Sequence, residues 1–204
     1  MGVVSSQVAR KDYKCRRGCE IHKGERYYRA KKKFQRVRFG CSEHPFKGSE
    51  LATSGKIASL LGIQEGLAAL TVSADTVGNI GDDLDSAAQG AREVGEEYEE
   101  SASNMEEYFS GSSQIDEIRE KSENCDSWAD ALENAAGEVR DMAGEIEDLS
   151  IQKDKLQEQE HNLVQEGKDT KELASQIEAL EVDIEAKVEE VSDKVSEASD
   201  EMMF

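Results

Sequence analysis

Four residues near the N-terminus carry the most definite chemistry in this sequence: Cys15, Cys19, Cys41 and His44. Cys15 and Cys19 form a C-x3-C pair, and Cys41 and His44 form a C-x2-H pair. Thiolates and imidazole are the ligands that zinc favours. Two short pairs on two tight turns, separated by a small hairpin, build a tetrahedral Cys3His site. A block this small buries too little apolar surface to fold alone, so bound metal would supply the missing free energy. Gly18 precedes Cys19 and Gly40 precedes Cys41, where a chain turning around a metal is expected to need a positive φ. His22 stands at C-x2-H from Cys19 and is a fifth candidate ligand. His44 is preferred, because it pairs with Cys41 on the far side of the hairpin. The expected cofactor is Zn2+.

The elements that must hold these ligands lie between the two pairs. "ERYYRA" and "FQRVRFG" read as two strands, and "AKKK" as the turn that joins them. In the second strand Phe34, Arg36 and Arg38 share one side, and Gln35, Val37 and Phe39 the other. The hairpin thus presents Arg29, Lys31, Lys32, Lys33, Arg36 and Arg38, interleaved with Tyr27, Tyr28, Phe34 and Phe39. Cations for phosphates and rings for bases are what a nucleic-acid surface requires.

Charge divides the chain in the same place. Between Met1 and Gly48 stand 14 Lys and Arg against 4 Asp and Glu, a net of +10. The remainder holds 11 basic and 41 acidic residues, a net of -30. Such asymmetry marks two parts with different partners.

The block "CEIHKGERYY…FGCSEHPF" resembles the small zinc-binding module of uncharacterised bacteriophage and prophage proteins. It is also distantly similar to PARP-type zinc fingers, which begin C-x2-C…I-x-K-G-E. In those patterns the second cysteine lies four residues before the isoleucine. Here Cys19 lies two before Ile21, and Arg17 occupies the usual place. The resemblance covers about a fifth of the chain and implies a zinc module without an assigned activity. The long acidic helical tail is similar to that of such phage proteins.

Beyond Gly48 the sequence suits long helices packed along narrow seams. Hydrophobic residues are 37%, charged residues 34%, aromatics 5%, and there is one proline; that is poor material for a large globular core. A short helix is expected around Ser54 to Leu61. Val77, Leu84, Ala91, Tyr98 and Met105 recur every seven residues, and Ile80, Ala87, Val94, Ser101 and Tyr108 accompany them. "FSGSSQID" breaks the pattern, with Gly111 ending one helix and Ser112 or Ser113 capping the next. Ile118, Cys125, Leu132, Val139 and Ile146 form the next row, with Trp128, Ala135, Met142, Leu149, Leu156 and Leu163 beside it. Cys125 and Trp128 are therefore core residues. Gly167 followed by Asp169 or Thr170 as a cap, with Glu172 completing an Asp-x-x-Glu capping box, predicts a second turn. A stripe of Leu173, Ile177, Leu180, Ile184, Val188, Val191 and Val195 follows it. A row that stays in phase through Gly167 also allows one continuous helix, but Lys153, Glu160 and Gly167 on the seam favour a hairpin.

The fold class expected is mainly α: a small N-terminal zinc-stabilised β-hairpin module, then an elongated antiparallel helical bundle or coiled coil. Its parts are a basic module over 1–48, a segment over 49–110 with the first long helix, and a long helix plus C-terminal helix over 111–204. There is no Gly-rich phosphate loop and no convergence of carboxylates, so an enzyme is not expected. The absence of a long apolar run and of a signal-like leader points to a cytoplasmic protein, host cytoplasm if viral.

Three functions fit. The basic module binds DNA, RNA or another polyanion while the acidic helices take a protein partner. Alternatively, the finger docks on protein in a scaffold that oligomerises, a homodimer being one form. Lastly, the acidic bundle mimics DNA and inhibits a host DNA-binding enzyme.

Overall fold

The computed structural model describes residues 3–31, 36–166 and 168–202. The chain divides into two compact units, Met1–Glu65 and Gly66–Phe204. No described helix is long and apolar enough to cross a membrane.

The first unit is built on two small sheets. β1 (Val3–Val8), β4 (Arg26–Lys31) and β5 (Arg38–Cys41) form an antiparallel sheet in the order β1-β4-β5. β2 (Tyr13–Lys14) and β3 (Glu20–Ile21) form a two-stranded ribbon, with Tyr13 opposite Ile21. The expected strand pair is present as β4 and β5, with Tyr27 opposite Cys41 and Ala30 opposite Arg38, but β5 is shorter than the expected strand from Phe34: Arg36 and Val37 lie before it. Lys32, Lys33, Phe34 and Gln35, expected at its turn and in the second strand, lie outside the described residues.

β1 has no counterpart among the expected elements. Its "VVSSQV" has neither the clean alternation nor the aromatics that mark a strand, and it forms against β4. Ala9, Cys15, Ile21, Tyr27 and Cys41 make one buried cluster of this unit, with Tyr13, Cys19 and Phe39 packed against it; Ala30, Ala52 and Leu60 are buried as well. A short helix α1 (Gly48–Leu51) and a longer α2 (Gly55–Leu67) follow. Ser49 ties them together, donating from N and Oγ to the carboxylate of Glu65 at 3.1 and 2.5 Å. The compact unit therefore runs past Gly48.

The second unit is three helices: α3 (Val77–Tyr108), α4 (Ser113–Gln165) and α5 (Lys171–Asp200). Gly111 takes φ +85° in the first turn, and Ser112 Oγ caps α4 by accepting from Gln114 N. At the second turn Asp169 Oδ1 accepts from Lys171 N. The chain doubles back there, so the hairpin forms and the continuous helix does not. The antiparallel order is fixed by cross-helix pairs. Arg140 meets Asp82 and Asp85, and Arg119 meets Glu106, between α4 and α3. Lys194 meets Glu138 and Lys153 meets Glu181 between α5 and α4.

Most of the expected seam is buried: Val77, Ile80, Leu84, Ala87, Ala91, Val94 and Tyr98 on α3, and Cys125, Trp128, Leu132, Ala135, Val139, Met142 and Ile146 on α4. Tyr108 departs from it, being 74% exposed. An α-helix drifts about 20° per heptad relative to a strict seven-residue repeat. Three heptads after Ile80, Ser101 is only half-buried while Ala102 is fully buried. Gly81, Ala88, Gly95 and Ala102 form a further seven-residue row beside the expected ones, all buried. They let the backbones approach: a Cβ on Gly95 would stand 3.2 Å from Cys125 Cβ, and Ser122 Oγ donates to Gly95 O at 2.8 Å.

Candidate metal centre

The ribbon and the sheet bring the two ligand pairs together. Pairing of Tyr13 with Ile21 closes a tight turn over residues 15–19, in which Cys15 N–H donates to Cys19 O at 2.8 Å. Gly18 relieves that turn with φ +96°. The second pair follows β5, where His44 N–H donates to Cys41 O at 3.1 Å. The three sulfurs and one nitrogen of His44 all lie within 4.8 Å of one another, an arrangement that could hold a metal ion. His44 Nδ1 is the atom that faces the thiols, 3.1 Å from Cys41 Sγ and 3.4 Å from Cys19 Sγ. His22 stays outside the cluster, its exposed ring 3.9 Å from Asp12.

The thiols are unequal. Burial opposes the Cys15 thiolate, but N–H groups of Arg17 and Cys41, the Cys41 thiol and the Arg16 charge together hold its pKa below the ordinary value. Cys19 is shifted up, by burial first and then by the neighbouring Cys41. A metal ion placed among them would favour all three thiolates.

Gly40 is not in the left-handed region expected for it. It sits in β5, and glycine is required for another reason: a Cβ there would lie 2.5 Å from the backbone oxygen of His44 and 3.0 Å from Arg16 Nη1. The loop carrying the imidazole lies directly on that face of the strand.

Arg16 pins the loop. Its Nη1 donates to His44 O at 2.6 Å and its Nη2 to Pro45 O at 2.9 Å. Nε and Nη2 also grip both carboxylate oxygens of Glu50, at 2.8 and 2.6 Å, and the guanidinium lies over the Phe46 ring. Sequence reasoning counted Arg16 only as charge. Its position beside Cys15 was the available signal, but the partner 34 residues away was not legible.

Arg16→Lys keeps one charge and loses the planar fork. It is expected to weaken metal binding about 10–100-fold, as loss of a partner that orients a ligand commonly does. Competitive titration with a chromogenic chelator measures this, and an unchanged affinity would remove Arg16 from the support of the site. The same pair carries a pH dependence. The hydrogen bond from Arg16, against the opposing effect of partial burial, holds the Glu50 pKa below its ordinary value. Its stabilisation is therefore complete above the ordinary carboxylate pKa and is lost as pH falls through the lower, folded one. Glu50→Gln should flatten that acid limb in a denaturation series.

The cations divide. Arg29, Lys31 and Arg36 are exposed, whereas Arg38 is engaged, donating to Glu50 O at 2.7 Å and lying beside Phe46. Lys32 and Lys33 lie outside the described residues. Tyr27 is buried, and its ring packs tilted against Tyr13 and edge-on against Phe39, at centroid distances of 5.1 and 5.8 Å. These rings are core, which takes Tyr27 off any base-stacking surface.

Comparison of the chain with protein-family models, with curated proteins and with solved structures gives no match.

Proposed function

We propose that the N-terminal unit is a Cys3His zinc module that binds nucleic acid through its unpaired cations, in a non-enzymatic protein whose acidic helices serve a protein partner. Zinc is favoured by the donor set of three thiols and one imidazole. Bonds of about 2.3 Å to sulfur and about 2.0 Å to nitrogen put tetrahedral ligand atoms roughly 3.5–3.8 Å apart. The observed 3.1 and 3.4 Å between His44 Nδ1 and two thiols need little adjustment. The resemblance to phage and prophage modules fits this reading, with the host cytoplasm as its setting.

One contrast carries the nucleic-acid assignment. In the helical unit Arg92, Arg119 and Arg140 each meet two carboxylates. In the first unit no carboxylate among the described residues pairs with Arg29, Lys31 or Arg36, all of them exposed. Residues 1–48 carry a net of +10, and the cations left unneutralised there are available for phosphates.

Full-length, metal-loaded protein should bind short DNA or RNA at low salt. On duplex DNA, log K should fall with log salt by about 0.9 per phosphate neutralised. Combining Arg29→Glu, Lys31→Glu and Arg36→Glu should remove most of the affinity and flatten that slope. Metal content should stay the same, since none of the three touches a ligand. Absence of binding at low salt would redirect the module to protein docking.

A further inference from the structure

β1 is an outer strand that lacks the usual protection. Outer strands are ordinarily shielded by lysines, prolines, bulges or a covering segment. β5, at the other side of the sheet, is covered: Arg16 N–H donates to Phe39 O at 2.9 Å, and Arg38 turns to Glu50. β1 reads Val-Val-Ser-Ser-Gln-Val, without a charge, and among the described residues it pairs with β4 alone. Val4 is 38% and Val8 57% exposed.

The ladder settles which backbone groups of β1 are unpaired. Ala9 N–H donates to Glu25 O, and Ala9 O accepts from Gly24 N–H, both at 2.8 Å, so Ala9 is directed at the β4 side. Alternation in an antiparallel ladder then directs Gln7 and Ser5 at β4, and Val4, Ser6 and Val8 outward.

We propose that β1 pairs antiparallel with β1 of a second copy of this chain, about a two-fold axis at Ser6, joining two sheets into one of six strands. In this register Val4 stands opposite the partner's Val8, Ser6 opposite the partner's Ser6, and Val8 opposite the partner's Val4. All three are hydrogen-bonding pairs, because each matches outward groups with outward groups. Sliding by two residues loses one of these pairs. Sliding by one sets outward groups against inward ones. The valines exposed in the single chain cover each other on one face, which gives a second copy a match that an arbitrary peptide lacks. Charge permits the approach. The two β4 strands come to lie three strand spacings apart, about 14 Å, beyond the Debye length of about 8 Å at physiological salt. The cations Arg10 and Lys11 fall outside the paired stretch.

Sedimentation equilibrium of the full-length, metal-loaded protein tests the pairing, with no nucleic acid present, so its outcome is independent of the nucleic-acid reading. The expected mass is twice 22.5 kDa. Val4→Lys with Val8→Lys sets lysine against lysine in both halves and should give monomer with full metal content. Val4→Lys with Val8→Glu sets lysine against glutamate twice and should restore the dimer. Ser6→Pro removes an outward donor, leaves the β4 ladder intact, and should also weaken the dimer. A monomeric wild type, a dimer that the double lysine variant leaves intact, or a lysine–glutamate variant no better associated than the double lysine one would each overturn the proposal.

Discussion

Stripping the metal from the full-length protein is expected to unfold the strands of the first unit and leave the three long helices standing. The cluster that packs the sheets is small, and Cys15 and Cys41 are two of its five buried members. Without an ion, no coordinate bond joins the turn that carries Cys15 and Cys19 to the loop that carries Cys41 and His44 through their side chains. Structural zinc contributes about 10–16 kcal/mol of apparent binding free energy in finger peptides, more than a core of this size can replace. In the helical unit, none of the buried residues belongs to the metal cluster.

Hydrogen exchange resolves the two responses in one sample. After chelation, amides of Arg26–Lys31 and Arg38–Cys41 should exchange at nearly unfolded rates, while those of Leu84–Ala102 and Leu132–Ile146 keep their protection. Cys41→Ser should reproduce the pattern, and His22→Ala should not. Persisting protection of β4 in the chelated protein would show that the sheet stands without metal.

The ligand pairs were legible because thiol and imidazole spacing is a local code, and each pair closes its own turn. The long helices were legible because burial repeats along them: Leu84, Leu132 and Ile184 all fall on rows visible in the sequence. What escaped is non-local or steric. β1 exists as a strand through its ladder with β4, and Val3–Val8 alone gives little sign of it. Gly40 invites a conformational explanation, yet the reason for it is the His44 carbonyl lying on its face. Arg16 looks like one cation among many until the fold brings Glu50 and the His44–Pro45 carbonyls to it. The row of Gly81, Ala88, Gly95 and Ala102 was readable in principle, because its seven-residue spacing is as regular as that of its apolar neighbours. Small residues carry little hydrophobic signal, so a search for apolar rows passes over them.

Trp128→Ala is expected to be among the most costly single substitutions in the helical unit. Trp128 is 1% exposed in the first third of α4, and its indole Nε1 donates to Ala198 O at 2.8 Å. Ala198 lies in the last turn of α5, where carbonyls have no intrahelical N–H to accept from. The indole therefore does two jobs, filling the core and capping the end of α5. Truncating a buried aromatic side chain to alanine costs about 3–5 kcal/mol, or a fall in Tm of roughly 10 °C for a unit of this size. Trp128→Phe keeps much of the buried ring but loses the donor and part of the ring volume, and the unsatisfied buried carbonyl alone costs about 1–3 kcal/mol. Far-UV circular dichroism melts of the two variants separate the contributions. Hydrogen exchange should also show amides from Val191 to Ala198 losing protection first in both. Equal losses in the two variants would assign the effect to the hydrogen bond alone, and a wild-type melt for Trp128→Ala would mean that α5 does not depend on this anchor.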